Sequence, residues 1–409
     1  MRIIRHKHTF FVLFCFLVFA VMVTVYKFYN HDSVLWSFRS PKVTKDNLTH
    51  ILEDAKVPQY YPKEIDIFLN GKLETTYVEY TLDVELQEFM ENLFSSYQPD
   101  YAAFVALDPK TGKILSLISY AKIHSKLNEN LALKASYPAA SIFKIVTASA
   151  AIGEKNFTAN TIIPFNGANH TLYRSNILQS KFTRFTRYMS LKDAFAKSVN
   201  TVFGKIGAFS LGSDGLREYA DRFGFNRKIT GDLPVGESKA IIPNDAWGLA
   251  ESASGFTQNN TMSPLQGALM VSAIVNQGVM MEPYLVQLLS LKSGKSLYTA
   301  LPHELGQTLD QKTALEMREL MRETIRIGTS RRSFRGFSRG RFTGMDIGGK
   351  TGSLSGKNPK GKYDWFIGYA EKNNQPLALS VLTIHEKYWK VKSSYLGRRA
   401  IERYFLDKN

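Results

Sequence analysis

The run Ser141-Ile-Phe-Lys-Ile-Val-Thr-Ala-Ser-Ala-Ala-Ile152 is apolar on nearly every side when wound at 3.6 residues per turn. A helix of that kind has no solvent face, so the chain must build a core that surrounds it. With 409 residues, 44% of them hydrophobic, the chain has material for one large domain or two smaller ones. Pro138-Ala-Ala leads into the run, and Gly153 is the residue expected to end it. Ser141 falls on the first turn, where free N–H groups and the positive end of the macrodipole favour negative charge on a bound reactant. Lys144 lies one turn deeper on the same face, so its amine reaches the Ser141 hydroxyl. Desolvation favours the neutral amine, which accepts the serine proton and makes the hydroxyl a nucleophile. The plain alternative, a serine that merely caps a helix, is the commoner meaning of this motif by itself.

Two further motifs change that balance. Ser198-Val-Asn200 is the only Ser-x-Asn in the chain, and Lys350-Thr-Gly-Ser353 follows it. Chance alone gives about 2.6 Ser-x-x-Lys matches at this composition, and a second one, Ser119-Tyr-Ala-Lys122, is present. A second Lys-Thr-Gly, Lys110-Thr111-Gly112, sits after Asp108-Pro109 and before a strand-like run, the writing of a hairpin turn. That pair runs in the opposite order. The combination of order, spacing and uniqueness therefore singles out Ser141, Ser198 and Lys350.

This constellation resembles the active site of the penicillin-binding protein and serine β-lactamase superfamily, with its serine-lysine, serine-asparagine and lysine-threonine-glycine elements. Tyr80-Thr-Leu-Asp-Val-Glu-Leu-Gln87, Ala106-Leu-Asp-Pro-Lys-Thr-Gly-Lys-Ile-Leu115, Ser263-Pro-Leu-Gln266, Asn276-Gln-Gly278 and Trp365-Phe-Ile-Gly-Tyr369 are similar to segments of the transpeptidase domain. The likeness covers roughly residues 80 to 409. It implies that Ser198 relays a proton between Lys144 and the leaving amine, and that Asn200 hydrogen-bonds Lys144 and the substrate amide. Lys350 would supply positive charge and Thr351 and Ser353 hydroxyls for a terminal carboxylate, while Gly352 lets substrate backbone approach. The backbone amides of Ser141 and Ser353 would form the oxyanion hole. The implied reaction is D,D-transpeptidation of D-Ala-D-Ala stem peptides in peptidoglycan biosynthesis, with β-lactams such as penicillin acylating the same serine. No metal or cofactor is implied.

Relatives of other activity remain in view. Class A β-lactamases carry a Glu-x-x-Leu-Asn string that this chain lacks. Class D β-lactamases and β-lactam sensors resemble the Pro138–Ile145 segment but usually have valine where this chain has Asn200. Water as acceptor would make the enzyme a D,D-carboxypeptidase. No glycosyltransferase domain is expected ahead of the transpeptidase.

Strand and helix signals mix without a βαβ repeat, which predicts an α+β domain: a central antiparallel sheet with helices packed on it. The family likeness adds an all-helical subdomain. Three spans are expected: 1–27 a cytoplasmic tip and transmembrane signal-anchor, 28–80 a juxtamembrane spacer with a small β-hairpin, and 81–409 the transpeptidase domain. A short helix is expected around Asn47 to Lys56, and the hairpin turns at Asn70-Gly71 between Glu64–Leu69 and Lys72–Tyr80. Asp83 caps a helix through Tyr97 with Leu86, Phe89, Met90 and Leu93 on one face, packed on a hairpin spanning Ala102 to Tyr120. Leu191 to Val202, Thr261 to Asn276 and Gln311 to Arg326 read as helices, with Ser198 and Asn200 near the end of the first. Trp365 to Ala370 and Leu377 to Ile384 read as adjacent strands, and Lys350 is expected to start an edge strand after a flexible Gly348-Gly349.

Thr9 to Tyr26 is uncharged and long enough to cross hydrocarbon at 1.5 Å per residue. Arg2, Arg5 and Lys7 precede it, which puts the amino terminus in the cytoplasm and the rest in the periplasm or extracytoplasmic space. A cleaved signal peptide ending near Val18-Phe-Ala20 is the competing reading, but the apolar run continues past that point. Cys15 is the only cysteine, so no intramolecular disulfide forms. The formal charge of +16 fits anionic head groups and carboxylate-bearing peptides outside a membrane better than nucleic acid. Its densest stretch, Arg326 to Arg341 with Arg331, Arg332, Arg335 and Arg339, reads as a solvated, flexible loop in preference to a polymer-contacting patch.

Overall fold

A computed structural model describes residues 43–69, 71–123, 129–178, 182–337 and 339–406. Strands β1 (Glu64–Leu69) and β2 (Lys72–Tyr80) form the expected hairpin, with Leu69 opposite Lys72 and Gly71 at φ 79°. Asn70 lies outside the described residues. Helix Val84–Tyr97 is capped by Asp83, which accepts from Leu86 N at 3.0 Å. Its buried stripe is Leu86, Met90 and Phe94, with Phe89 and Leu93 at the margin. Strands β3 (Tyr101–Leu107) and β4 (Ile114–Ala121) follow, joined by the Lys110–Gly112 turn, where Gly112 adopts φ 82° and donates to Asp108 O at 2.9 Å.

The first hairpin does not stand alone. Strand β5 (Val286–Leu291) pairs antiparallel with β2, and β6 (Ser296–Thr299) pairs with β5, giving a four-stranded sheet in the order β1-β2-β5-β6. The preceding helix, Lys45–Asp54, lies two residues earlier than its sequence signal, and Val43 N donates to Leu297 O of β6 at 3.1 Å.

The central sheet is completed by β7 (Asp346–Lys357), β8 (Lys360–Lys372) and β9 (Gln375–His385), in the order β7-β8-β9-β3-β4 with every pair antiparallel. Both faces are covered, which is why β3 is apolar at consecutive positions. Ala103, Val105 and Leu107 join a core with helices Lys144–Lys155 and Pro264–Val275, whereas Ala102, Phe104 and Ala106 join another with helices Val84–Tyr97 and Ser393–Tyr404. Trp365 of β8 is fully buried, and its indole N–H donates to Pro138 O at 2.9 Å, tying the central sheet to the residues just before Ser141.

Four local expectations are corrected. The Ser141 helix does not end at Gly153 but runs to Lys155, with Asn156 left-handed at φ 54°. Gly153 instead makes room for Tyr219, whose hydroxyl would lie 2.0 Å from a methyl there. Leu191 to Val202 is not one helix: Leu191–Ala196 and Asn200–Lys205 are separated by Lys197-Ser198-Val199. Thr261-Met262 is a short strand paired with Tyr137-Pro138, and the helix begins after Ser263, which caps it by accepting from Gln266 N at 3.0 Å. Lys350 lies inside β7, and Gly348-Gly349 is strand, where added methyls would meet Tyr369 and Phe366 at 2.6 Å each. The two glycines serve close packing.

Among the described residues no helix is long and apolar enough to cross a membrane, and the run Thr9 to Tyr26, with Cys15, lies outside them.

Candidate active site

Ser141 sits in a 3-10 turn, Ala140–Phe143, that continues directly into helix Lys144–Lys155. The turn is built under constraint. Ala139 N donates to Asn260 O at 2.8 Å, and Ala140 adopts φ 49°, a left-handed conformation unusual for a residue with a side chain. Gly255 presses against this turn from the end of helix Ala246–Ser254. At φ 67°, a methyl on it would fall 1.8 Å from Ala140 O, so only glycine permits the approach.

Ser141 is half-buried, whereas Lys144 is completely buried. Three oxygens surround the Lys144 amine: Ser141 Oγ at 2.8 Å, Asn200 Oδ1 at 2.9 Å and Ser254 O at 2.5 Å. The Asn200 amide is oriented by its other end, since Nδ2 donates to His170 O at 2.8 Å. That leaves Oδ1 facing the lysine. Burial, and after it the positive charge of Lys350, hold Lys144 well below the ordinary lysine range. The carbonyl end of helix Ala246–Ser254 opposes this by about 2 kcal/mol at most, and burial with charge repulsion prevails.

Ser198 occupies the gap between its two helices at φ 54°. Val199 N donates to Ala194 O at 2.9 Å and Ser198 N to Phe195 O at 3.1 Å, a Schellman closure with serine where glycine is usual. This conformation directs the hydroxyl to Lys350 Nζ, 3.0 Å away. Lys350 also donates to Thr351 O at 2.7 Å, and burial pulls it down to about 7. Among the described residues neither lysine is in an ion pair. Their apolar surroundings include Phe203, 5.7 Å from Lys144 Nζ, and Phe195, 5.5 Å from Lys350 Nζ.

Strand alternation divides the last motif. Lys350 and Gly352 face the Ser141 turn, and a methyl at Gly352 would lie 3.2 Å from Ile142 Cγ1 and 3.4 Å from Ala139 O. Thr351 and Ser353 point the other way: Thr351 Oγ1 lies 2.5 Å from Thr329 Oγ1, and the Ser353 hydroxyl donates to Asp364 Oδ1 at 3.2 Å. The fold thus assembles Ser141, Lys144 and Asn200 as one hydrogen-bonded group and Ser198 with Lys350 as a second. The Ser353 hydroxyl belongs to neither; only its backbone lies along the cleft edge. Sequence reasoning missed the carbonyls of Ser254 and His170, which leave no mark in residue type, and Thr329. Gly255, a glycine at the end of helix Ala246–Ser254, is a residue-type signal that could have pointed to that carbonyl end.

A family model, the penicillin binding protein transpeptidase domain, matches residues 102–400. The chain is 28% identical over 313 residues to the peptidoglycan D,D-transpeptidase PbpA of Mycolicibacterium smegmatis, covering 69% of this chain and 62% of that protein. It is 27% identical to stage V sporulation protein D of Bacillus subtilis, over 75% of this chain and 49% of the relative. The chain therefore spans between about half and three fifths of those relatives' own length. Among solved structures, penicillin-binding protein A of Mycobacterium tuberculosis superposes with TM-score 0.67 at 24% identity, covering 81% of this chain and 82% of that one. The imipenem acyl-enzyme complex of the same protein gives TM-score 0.64 at 25% identity, with 80% of each chain covered. With the family match running over most of the chain, and all three motifs gathered where β7 meets the Ser141 turn, the protein belongs to the penicillin-binding protein transpeptidase domain family.

Proposed function

We propose that the protein is a membrane-anchored serine D,D-transpeptidase that cross-links peptidoglycan stem peptides through an acyl-enzyme on Ser141, and that β-lactams acylate the same serine. The coordination of Lys144 carries this reading. Two of its three neighbours, Asn200 Oδ1 and Ser254 O, can only accept hydrogen bonds. A neutral amine gives its two N–H groups to them and turns its lone pair to the Ser141 hydroxyl.

Ser141 Oγ then attacks the penultimate D-Ala carbonyl as its proton passes to Lys144. Negative charge gathers on the carbonyl oxygen, opposite the amides of Ser141 and Ser353. The C–N bond breaks, and the departing D-alanine amine takes a proton through the Ser198 hydroxyl. Transfer to the acceptor amine runs the same steps in reverse. Lys350 is assigned to the terminal carboxylate, and Thr351, on the opposite strand face, reaches it by turning its hydroxyl from Thr329 across the strand edge, which Gly352 keeps open. The left-handed backbone at Ser198 supports its role. Strain of about 1–3 kcal/mol that glycine would relieve is retained where a hydroxyl is needed. The anchor reading rests on the uncharged Thr9 to Tyr26 run and the cations before it, with residues 28–80 as spacer and hairpin and 81–409 as catalytic domain.

Labelled penicillin and a D-Ala-D-Ala donor test the reading. A long-lived adduct on Ser141 together with a cross-linked product is expected. Rapid penicillin hydrolysis would indicate a β-lactamase, adduct without turnover a sensor, and hydrolysed donor alone a carboxypeptidase.

The pH dependence follows from the two lysines. Acylation by a carboxylate-bearing β-lactam should rise as Lys144 loses its proton, well below the ordinary lysine range, and fall as pH passes about 7, where free Lys350 loses its charge. Lys350→Arg stays charged, so its second-order acylation rate constant should keep the acid limb and lack the alkaline one. An alkaline limb unchanged in that variant would contradict the assignment.

A further inference from the structure

The segment joining helix Gln311–Arg326 to β7 carries a charge excess that the acylation chemistry does not use. Arg331, Arg332 and Arg335 are exposed and line an open cavity of about 880 Å³ together with Arg322, Arg326 and Thr329. Arg322 is paired with Asp346 at 2.5 Å and Arg326 with Glu323 at 2.9 Å. Among the described residues no carboxylate pairs with Arg331, Arg332 or Arg335. Their backbone is nevertheless held. Phe334 and Phe337 are buried, Phe334 lies 5.6 Å from the Phe366 ring of β8, and Arg398 Nη1 donates to Ser333 O at 3.0 Å and Arg335 O at 3.2 Å. The arginine side chains are solvated as the sequence suggested, but the loop beneath them is anchored. A held anion site loses less entropy on binding than a loose one.

The cavity adjoins the catalytic cleft at one point. Thr329, on its wall, shares a hydrogen bond with Thr351, the residue after Lys350. We infer that this cavity binds carboxylates of the acceptor stem peptide, so that acceptor choice is set partly by Arg331, Arg332 and Arg335. The inference rests on the transpeptidase reading. In acyl transfer the acceptor amine must arrive where the D-alanine amine departed, so the ground beside Lys350 and Thr351 is the acceptor's ground. Stem peptides carry several carboxylates, and the planar guanidinium fork matches a carboxylate in two-point contact.

Binding of L-alanyl-γ-D-glutamyl-L-lysine, with its amines acetylated to prevent reaction, tests this without turnover. The full-length protein should bind the free dicarboxylate peptide about tenfold more tightly than the diamidated one. Replacing all three residues (Arg331→Ala, Arg332→Ala, Arg335→Ala) should erase that difference, and replacing them with lysine should restore part of it. A merely structural defect would weaken both peptides alike and leave the difference standing, which would overturn the inference. Equal binding of the two peptides by the unaltered protein would overturn it as well, as would a triple variant that loses affinity for phosphatidylglycerol vesicles but keeps the peptide preference. Penicillin labelling of Ser141 does not involve these arginines, so it can succeed where the peptide test fails, or fail where it succeeds.

Discussion

Replacing Lys144 with arginine is expected to slow acylation of Ser141 by labelled penicillin about 100- to 10,000-fold, the range associated with loss of a positioned general base. Arginine keeps a positive charge of similar reach but cannot surrender its proton near neutral pH. Among the described residues no carboxylate pairs with Lys144 to balance that charge, and Lys350 lies close enough to repel it. The two carbonyls facing Lys144 would still find donors, so the variant separates hydrogen bonding from basicity. Circular dichroism and thermal unfolding establish that the variant is folded. A folded Lys144→Arg protein acylated within twofold of the unaltered rate would remove lysine from the proton-transfer step.

The next largest effect is expected at a residue that touches no substrate. Gly255→Ala puts a methyl 1.8 Å from Ala140 O in a residue held at φ 67°. The left-handed backbone costs an alanine roughly 1–2 kcal/mol and the overlap about 1–3 kcal/mol more. Relief requires Ala140 or the end of helix Ala246–Ser254 to move. The first carries the neighbouring Ser141, and the second presents the Ser254 carbonyl to Lys144. The variant should therefore lose about 2–5 kcal/mol in urea unfolding and most of its penicillin labelling. Gly294→Ala is the control: at φ 81° with nothing within 4 Å of the added methyl, it bears only the conformational part. Equal losses at the two positions would show that the contact with Ala140 matters little.

How much of this was legible before the structure depends on where each signal is stored. The Ser141, Ser198 and Lys350 motifs carry their chemistry in residue type, and their order along the chain already separated them from the decoys at Ser119 and Lys110. Helix Gln311–Arg326 and the paired strands β8 and β9 followed from periodicity and length. What escaped was stored in backbone. The carbonyls of Ser254 and His170 complete the lysine and asparagine contacts, and any residue could supply them. The break at Ser198 escaped because Lys197-Ser198-Val199 contains no glycine or proline, and the left-handed turn is imposed by tertiary contacts, Lys350 among them. Gly348-Gly349 was misread because glycine signals flexibility in a loop and close packing in a sheet, and only the neighbours Tyr369 and Phe366 distinguish the two. The pairing of β2 with β5 joins segments far apart in the chain, beyond the reach of any local pattern.

Attack by Ser141 requires a lysine that is uncharged before substrate arrives. Carbon-13 NMR of the lysine ε-carbon in the free protein measures this directly, with the Lys144 signal assigned by its loss in Lys144→Arg. Its titration is expected well below the ordinary lysine range, with the neutral-amine shift reached at a pH where the exposed lysines are still ammonium. An ammonium shift that persists to pH 10 would contradict it.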